Sequence, residues 1–168
     1  DLSLFPRTKV SESILTAYHK SYQTGLLSAF LHTRRVRTEE KNFRQRVNEL
    51  MDFMGLTPYK DKYAVDLSSG FQKALSIAIA FAADPKLLLL DEPVTTLSED
   101  RVEMVMSLVS RVRDTGTTVV IIEHNMKAIM NYCDKIAVLN SGQKLAEGSA
   151  QDIRENNEVI EAYLGVTT

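Results

Sequence analysis

The sequence is short of the features that mark several protein classes. Its single cysteine, Cys133, excludes an internal disulfide. The longest mainly apolar run, residues 74–83, is far shorter than the ~18 residues that cross a membrane as a helix. A net charge of −2 gives no reason to expect nucleic acid or an anionic membrane as partner. The 168 residues are 44% apolar and 25% charged, which is the composition of an ordinary globular domain.

Two short apolar runs end directly in ionisable side chains. Residues 87–90 are four leucines followed by Asp91 and Glu92, and residues 119–122 lead to His124 two positions later. Apolar runs of this length, separated by a helix-length segment, predict neighbouring strands of a buried parallel sheet. Because ligands bind beyond the carboxyl ends of such strands, we expect the two acids and the histidine to gather at one sheet edge.

These side chains suit phosphoryl chemistry. Asp91 could hold Mg²⁺ through water, since this ion keeps much of its hydration shell. Glu92 could position or deprotonate a water that attacks a phosphoryl group, and His124 could contact the transferred phosphate or orient that water. The residues alone leave a plainer alternative open, in which the acids only end a strand and the histidine is structural.

A serine- and glycine-containing segment, residues 67–72, precedes the first of these runs. Ser69 and Gln72 have the spacing of a capping box, which predicts a buried helix from near Gly70 to about Ala83. A helix N-terminus with serine hydroxyls is also suited to phosphate. The segment could equally be a helix start with no ligand, and both interpretations can hold together.

Periodicity and capping residues predict the remaining elements. Helices are expected over Val10–Lys20, from a cap at Thr38 to Gly55, from a cap at Ser98 to Gly116, over Met126–Tyr132, and over 150–155 and 157–164, with a short helical turn at 26–31. The second of these helices has a single apolar stripe, made of Phe43, Val47, Leu50, Met51 and Met54. Asn140-Ser141-Gly142 predicts a hairpin turn.

The order of these motifs resembles the C-terminal half of an ABC transporter ATPase. LSSGFQ at 67–72 is similar to the family's signature motif, and LLLLDE at 87–92 to its Walker B strand. Leu97-Ser98 falls at the D-loop and His124 at the switch histidine. The tail from Glu123 onward resembles the subfamily that serves branched-chain amino acid importers, and the opening LFPRTKVSESIL its segment after the Q-loop.

The resemblance implies an α/β fold: a partial P-loop NTPase (ABC ATPase) core with a mostly parallel sheet, plus a helical lobe. It implies a helical signature lobe over 10–85, a partial RecA-like core over 86–148 carrying Walker B, D-loop and switch histidine, and C-terminal helices over 149–168.

The resemblance also implies ATP and Mg²⁺ as cofactors. Glu92 would be the general base or water-positioning group, Asp91 the Mg²⁺ contact, and His124 the γ-phosphate sensor. The remaining nucleotide contacts would be Ser68, Ser69, Gly70, Phe71, Gln72 and Ser98. A second ATPase subunit would pair head to tail with this one, and the pair would drive transmembrane permease subunits from the inner face of the cell membrane.

Several departures from the family pattern qualify these expectations. The sequence contains no G-x-x-x-x-G-K-[ST] and no Q-loop glutamine, so we expect this chain to be part of a longer subunit and to be inactive alone. Ser69, Phe71 and Ser98 differ from the usual residues. An alternative is therefore a catalytically inactive binding or regulatory module that lends a signature surface to a partner ATPase. One cysteine and no sustained heptads argue against the DNA-repair members.

Overall fold

The computed structural model describes residues 7–20 and 34–164. The short helical turn expected at 26–31 lies outside the described residues. The chain groups into two compact units, Asp1–Ile121 and Ile122–Thr168. The domain boundaries expected from the resemblance, after residues 85 and 148, stay predictions. Within the described part, no helix has the length and apolar character needed to cross a membrane.

The described residues of the first unit, 7–20 and 34–121, form four α-helices, and most of their bounds follow the sequence pattern. They are α1 (Val10–Lys20), α2 (Arg34–Phe53), α3 (Ser69–Phe81) and α4 (Glu99–Asp114). The expected cap at Thr38 is wrong, because α2 already begins at Arg34. Arginine is a good helix former, so the basic residues before Thr38 extend the helix.

The end of α2 follows the prediction. Gly55 has φ +68°, the left-handed conformation that glycine adopts without steric cost. The Leu56 N–H donates to the Met51 carbonyl at 2.7 Å, and the Gly55 N–H donates to the Asp52 carbonyl at 3.1 Å. These bonds satisfy carbonyls that the helix end would otherwise leave without partners.

The core of the first unit is made of the apolar stripes of these helices. In α2 the buried stripe is the predicted one, with Phe43 at its half-buried edge. The buried members include Val10, Ile14, Val47, Leu50, Met51, Met54, Ala74, Leu75, Ile77, Ala78, Val105, Met106, Leu108, Val109 and Val112. The helices therefore pack through faces that their periodicity defines.

The expected capping box at the start of α3 is wrong. Ser68, not Ser69, is the N-cap, and its side chain makes no capping hydrogen bond. The Gln72 side-chain amide instead donates to the carbonyls of Val65 at 3.3 Å and Leu67 at 3.0 Å. Because a short 3₁₀ turn, Ala64–Asp66, brings these carbonyls close, Gln72 bonds there and not to the cap residue.

Strands β1 (Leu87–Asp91) and β2 (Thr118–Ile122) form a two-stranded parallel sheet, as the apolar runs predict. The expectation that both faces are buried is wrong. Leu87 is 51% and Leu89 68% exposed, and Val120 is 47% exposed. Among residues 7–20 and 34–164, no second layer of structure covers the face that carries Leu87 and Leu89.

The second unit holds α5 (Met126–Tyr132), the hairpin strands β3 (Ile136–Asn140) and β4 (Gln143–Gly148), α6 (Ala150–Arg154) and α7 (Asn157–Leu164). The hairpin turn is at the predicted residues. Ser141 and Gly142 both have positive φ, 50° and 79°, as a two-residue turn between antiparallel strands requires.

A charged triad stabilises this hairpin. Lys135, just before β3, and Lys144 on β4 both bind the carboxylate of Glu147, Lys144 at 2.5 Å. Hydrogen bonds from Lys135 and Lys144, together with their positive charge, lower the pKa of Glu147 from 4.5 to about 2. A carboxylate whose pKa is lowered on folding stabilises the protein above its unfolded pKa, and this contribution is lost as pH falls through about 2.

We therefore expect Glu147→Gln to lower the free energy of unfolding at neutral pH, and the difference from wild type to shrink as pH falls from about 4.5 to about 2. Urea unfolding followed by far-ultraviolet circular dichroism at several pH values measures this. Glu161→Gln, an exposed acid on α7, is the matched control and changes stability little. A Glu147→Gln effect that stays constant down to pH 2 would contradict the role of the triad.

Candidate active site

The acid pair lies where β1 ends and a strained loop begins. Asp91 is the last residue of β1, Glu92 follows it, and both are exposed. Glu92 and Thr96 adopt φ values of +47° and +66°, in the left-handed region that non-glycine residues rarely occupy. Each such residue costs about 1–3 kcal/mol, and such conformations cluster at functional sites. Two of them within five residues single out this loop as a candidate site.

Two side chains that no motif in the sequence indicates bond to Glu92 in this conformation. Lys73 Nζ donates to the Glu92 backbone carbonyl at 3.2 Å. Thr95 Oγ1 donates to Glu92 Oε2 at 3.1 Å, and the Thr95 N–H lies 3.4 Å from the Glu92 carbonyl oxygen. Backbone and carboxylate of Glu92 are thus both held. The only sequence signal for these contacts is the three-residue spacing of Thr95 from Glu92.

A cavity of about 490 Å³ opens between α3 and the end of β1. The predicted site residues Ser69, Gln72 and Asp91 line it, together with Lys73 and Thr96. The structure therefore brings the signature-like segment and the first acid of the pair to one cavity. Hydroxyl, amide and charged side chains share its lining with apolar ones, which include Leu89 and Leu90.

Gly70 and Phe71 of the signature-like segment have packing roles. Gly70 is buried where α3 meets α4, and a Cβ there would lie 3.0 Å from Arg101 Cδ and from Met104 Cε. The Phe71 ring lies 4.4 Å from the Tyr59 ring between centroids, and the Arg101 guanidinium lies 5.2 Å from the Phe71 ring. Phe71 thus occupies an aromatic and cationic cluster and presents no polar side-chain atom to a ligand.

Two serines begin helices without using their side chains as caps. Ser68 precedes α3 and Ser98 precedes α4, and neither hydroxyl makes a capping hydrogen bond. Both residues are exposed. Their helix N-termini carry the partial positive charge that favours an anion, although Glu99 and Asp100 lie in the first turn of α4. Ser68 is therefore the better placed of the two for a phosphate group.

His124 belongs to the second unit and follows β2 after Glu123. Its backbone N–H donates to Glu123 Oε2 at 3.2 Å, as does the Asn125 N–H at 3.4 Å. Asn125 caps α5 by accepting the Ala128 N–H at 3.0 Å. These bonds order the backbone around an exposed imidazole. The expected convergence of His124 with Asp91 and Glu92 stays a prediction.

The donor set at the end of β1 fits a magnesium ion only together with a nucleotide. In the described part of the chain, no group of three or more His, Cys, Asp or Glu residues could hold a metal ion. Mg²⁺ at nucleotide sites commonly uses one or two carboxylates and takes its other ligands from phosphates and water. Asp91, an exposed carboxylate on the cavity wall, meets that requirement.

Comparison with known families gives two matches. The family described as "ABC transporter" matches residues 1–95, and "Branched-chain amino acid ATP-binding cassette transporter" matches residues 143–167. The first match includes the signature-like segment, β1 and the acid pair. The second covers β4 and most of the C-terminal tail.

Curated relatives cover nearly the whole chain. The high-affinity branched-chain amino acid transport ATP-binding protein LivG of Escherichia coli (strain K12) is 36% identical over 163 residues, which are 96% of this chain and 64% of LivG. BraF of Pseudomonas aeruginosa, of the same description, is 32% identical over 98% of this chain and 65% of its own length. The chain therefore spans somewhat less than two thirds of these relatives.

Solved structures agree on the fold. An ATP-binding cassette of an ABC transporter, MJ1267, matches with a TM-score of 0.78 at 24% identity, over 96% of this chain and 64% of that one. The dimeric cassette MJ0796 bound to ADP and Pi matches with a TM-score of 0.67 at 22% identity, over 89% and 60%. These likenesses confirm the predicted α/β fold class.

Proposed function

Because this chain belongs to the ABC transporter family, we propose that it is part of an ATP-binding subunit that binds and hydrolyses ATP to energise solute import. The observation that carries the proposal is the acid pair at the end of β1, where Asp91 is exposed and Glu92 adopts a left-handed conformation bonded by Lys73 and Thr95. The proposed solute is a branched-chain amino acid or a related compound. Support comes from the match over residues 143–167 and from the similarity to LivG and BraF.

Each side chain at the end of β1 has a role that its position supports. Bound MgATP supplies the reacting phosphoryl group and a metal that neutralises its charge. Asp91 would hold the metal ion, directly or through a water molecule. Glu92, whose carboxylate Thr95 orients, positions or deprotonates the attacking water. His124 contacts the γ-phosphate in this proposal.

The signature-like residues serve the nucleotide of a second subunit. In a head-to-tail pair, the segment that approaches the phosphates held by the partner consists of Ser68, Ser69, Gly70, Phe71 and Gln72. Ser98 approaches the same phosphates. The exposed hydroxyl of Ser68 at the N-terminus of α3 suits an anion. The dimeric cassette of similar fold, bound to ADP and Pi, supports pairing.

The proposal requires a phosphate cradle that these 168 residues do not contain, since the sequence has no G-x-x-x-x-G-K-[ST]. We propose that polypeptide outside this sequence supplies it and that these residues alone bind ATP weakly and are inactive. The subunit would act with transmembrane permeases at the inner face of the cell membrane. Support for a role in transport comes from LivG and BraF, which are both described as transport ATP-binding proteins.

One observation favours a second candidate function. Phe71 stands where the signature motif usually has glutamine, and it packs between Tyr59 and Arg101. A subunit with this replacement could bind nucleotide in a pair while contributing little to turnover. The second candidate is therefore an inactive binding or regulatory module that offers its surface to a partner ATPase.

Transport assays separate these proposals. In cells whose other leucine importers are deleted, removal of this gene should abolish uptake of labelled leucine. Return of the wild-type gene should restore it, and return of Glu92→Gln should not. Restoration by Glu92→Gln would favour the inactive module. Normal leucine uptake in the deletion, with loss of methionine uptake, would contradict the solute assignment. Methionine is the comparison solute because a methionine import protein, MetN of Burkholderia thailandensis, is 37% identical over 69% of this chain and 35% of its own length.

A further inference from the structure

Glu92 is held from two directions by side chains that come from different parts of the chain. Lys73 reaches its backbone carbonyl from α3, nineteen positions earlier. Thr95 reaches its carboxylate from the loop that follows. Neither contact is needed to end β1, because strand pairing and the buried Pro93 and Val94 already fix that point. Both contacts act on Glu92. A carboxylate that activates water must keep a fixed orientation.

We propose that Lys73 and Thr95 are positioning residues for Glu92. This inference rests on the proposed function, in which Glu92 activates water. Lys73 fixes the left-handed backbone at Glu92 through a charge-assisted bond to its carbonyl. Thr95 fixes the carboxylate by donating its hydroxyl hydrogen to Glu92 Oε2.

The Lys73 contact also couples the signature-like helix to Glu92. Lys73 directly follows Gln72 on α3, and both line the cavity beside β1. Gln72 is itself bonded to the carbonyls of Val65 and Leu67, which ties the first turn of α3 to the segment before it. A shift of α3 would therefore be transmitted through Lys73 to the backbone of Glu92.

The first test measures how strongly Lys73 stabilises the Glu92–Thr95 turn, and it needs no nucleotide. In the complete nucleotide-free protein, Lys73→Met should raise the amide hydrogen-exchange rate of the Glu92–Thr95 turn about tenfold, because the opening equilibrium loses one bond. Lys73→Arg should preserve slow exchange. Amides in the middle of α3 should exchange at the wild-type rate in both variants, which controls for general unfolding. An unchanged amide hydrogen-exchange rate of this turn in Lys73→Met would overturn the role of Lys73.

The second test measures the consequence for turnover. Thr95→Val keeps the shape of the side chain but loses the hydroxyl, so kcat should fall about ten- to a hundredfold, as for a misplaced catalytic group, with KM for ATP little changed. Thr95→Ser should restore most of the rate. Equal losses in Thr95→Val and Thr95→Ser, or a rise in KM with kcat unchanged, would overturn the proposal.

A double-variant comparison separates this inference from the proposed function. If Thr95 acts through Glu92, Thr95→Val should cause no further loss of kcat in a Glu92→Gln background. The same loss in both backgrounds would overturn the positioning role while leaving Glu92 as the activating group. Full activity of Glu92→Gln alone would overturn the proposed function, and the hydrogen-exchange result would still decide whether Lys73 holds the turn.

Discussion

Glu92→Gln is expected to lower the ATP turnover of the complete protein by about 10²–10⁴-fold, the usual contribution of a positioned acid or base. Glutamine has nearly the same shape as glutamate and can still accept the Thr95 hydrogen bond, so the loop should keep its conformation. It cannot take a proton from water. MgATP binding should be retained, because the proposed role of Glu92 is to act on the water and not on the phosphate cradle.

Single-turnover hydrolysis and equilibrium binding of labelled ATP, measured on the same preparation, distinguish chemistry from binding. Glu103→Gln on α4 is the matched control, since it makes the same chemical change at an exposed position. It should leave both quantities unchanged. Turnover by Glu92→Gln equal to that of wild type would remove Glu92 from the mechanism and would favour the inactive module.

The second large effect concerns the core. Leu75 on α3 is 0% exposed, so Leu75→Ala should lower the free energy of unfolding by about 2–5 kcal/mol through lost apolar burial and the cavity left behind. The matched control is Leu89→Ala on β1. Leu89 is 68% exposed, so in the isolated chain the same truncation should cost no more than about 0.5 kcal/mol.

Urea unfolding measures both values, with circular dichroism as the probe because the chain has no tryptophan. A loss for Leu89→Ala as large as that for Leu75→Ala would show that the leucine face of β1 is covered in solution. Equal and small losses would contradict the packing of α3 in the core.

The comparison of Leu75 with Leu89 also shows what the sequence could and could not predict. Periodicity located both elements, because an apolar run or stripe reflects the environment for which a segment is suited. It also predicted burial of Leu89, which the described residues do not provide. A pattern of apolar residues shows that a face needs cover, but it does not identify the segment that covers it.

In the candidate site, too, the sequence predicted some features and not others. Asp91 and Glu92 were predicted because they follow a strand directly, which is a local signal. The contact of Lys73 with Glu92 joins residues nineteen positions apart in different elements, so no local pattern encodes it. The capping-box prediction at Ser69 and Gln72 failed for a related reason, since the carbonyls of Val65 and Leu67 compete for the Gln72 amide.

The most direct test of the account is an experimental structure of the complete protein, as Glu92→Gln, with MgATP bound. The metal should lie beyond the end of β1, within direct or water-mediated reach of Asp91. The γ-phosphate should lie within reach of both position 92 and His124. Phosphates bound elsewhere on the chain, with the end of β1 turned away from them, would contradict it.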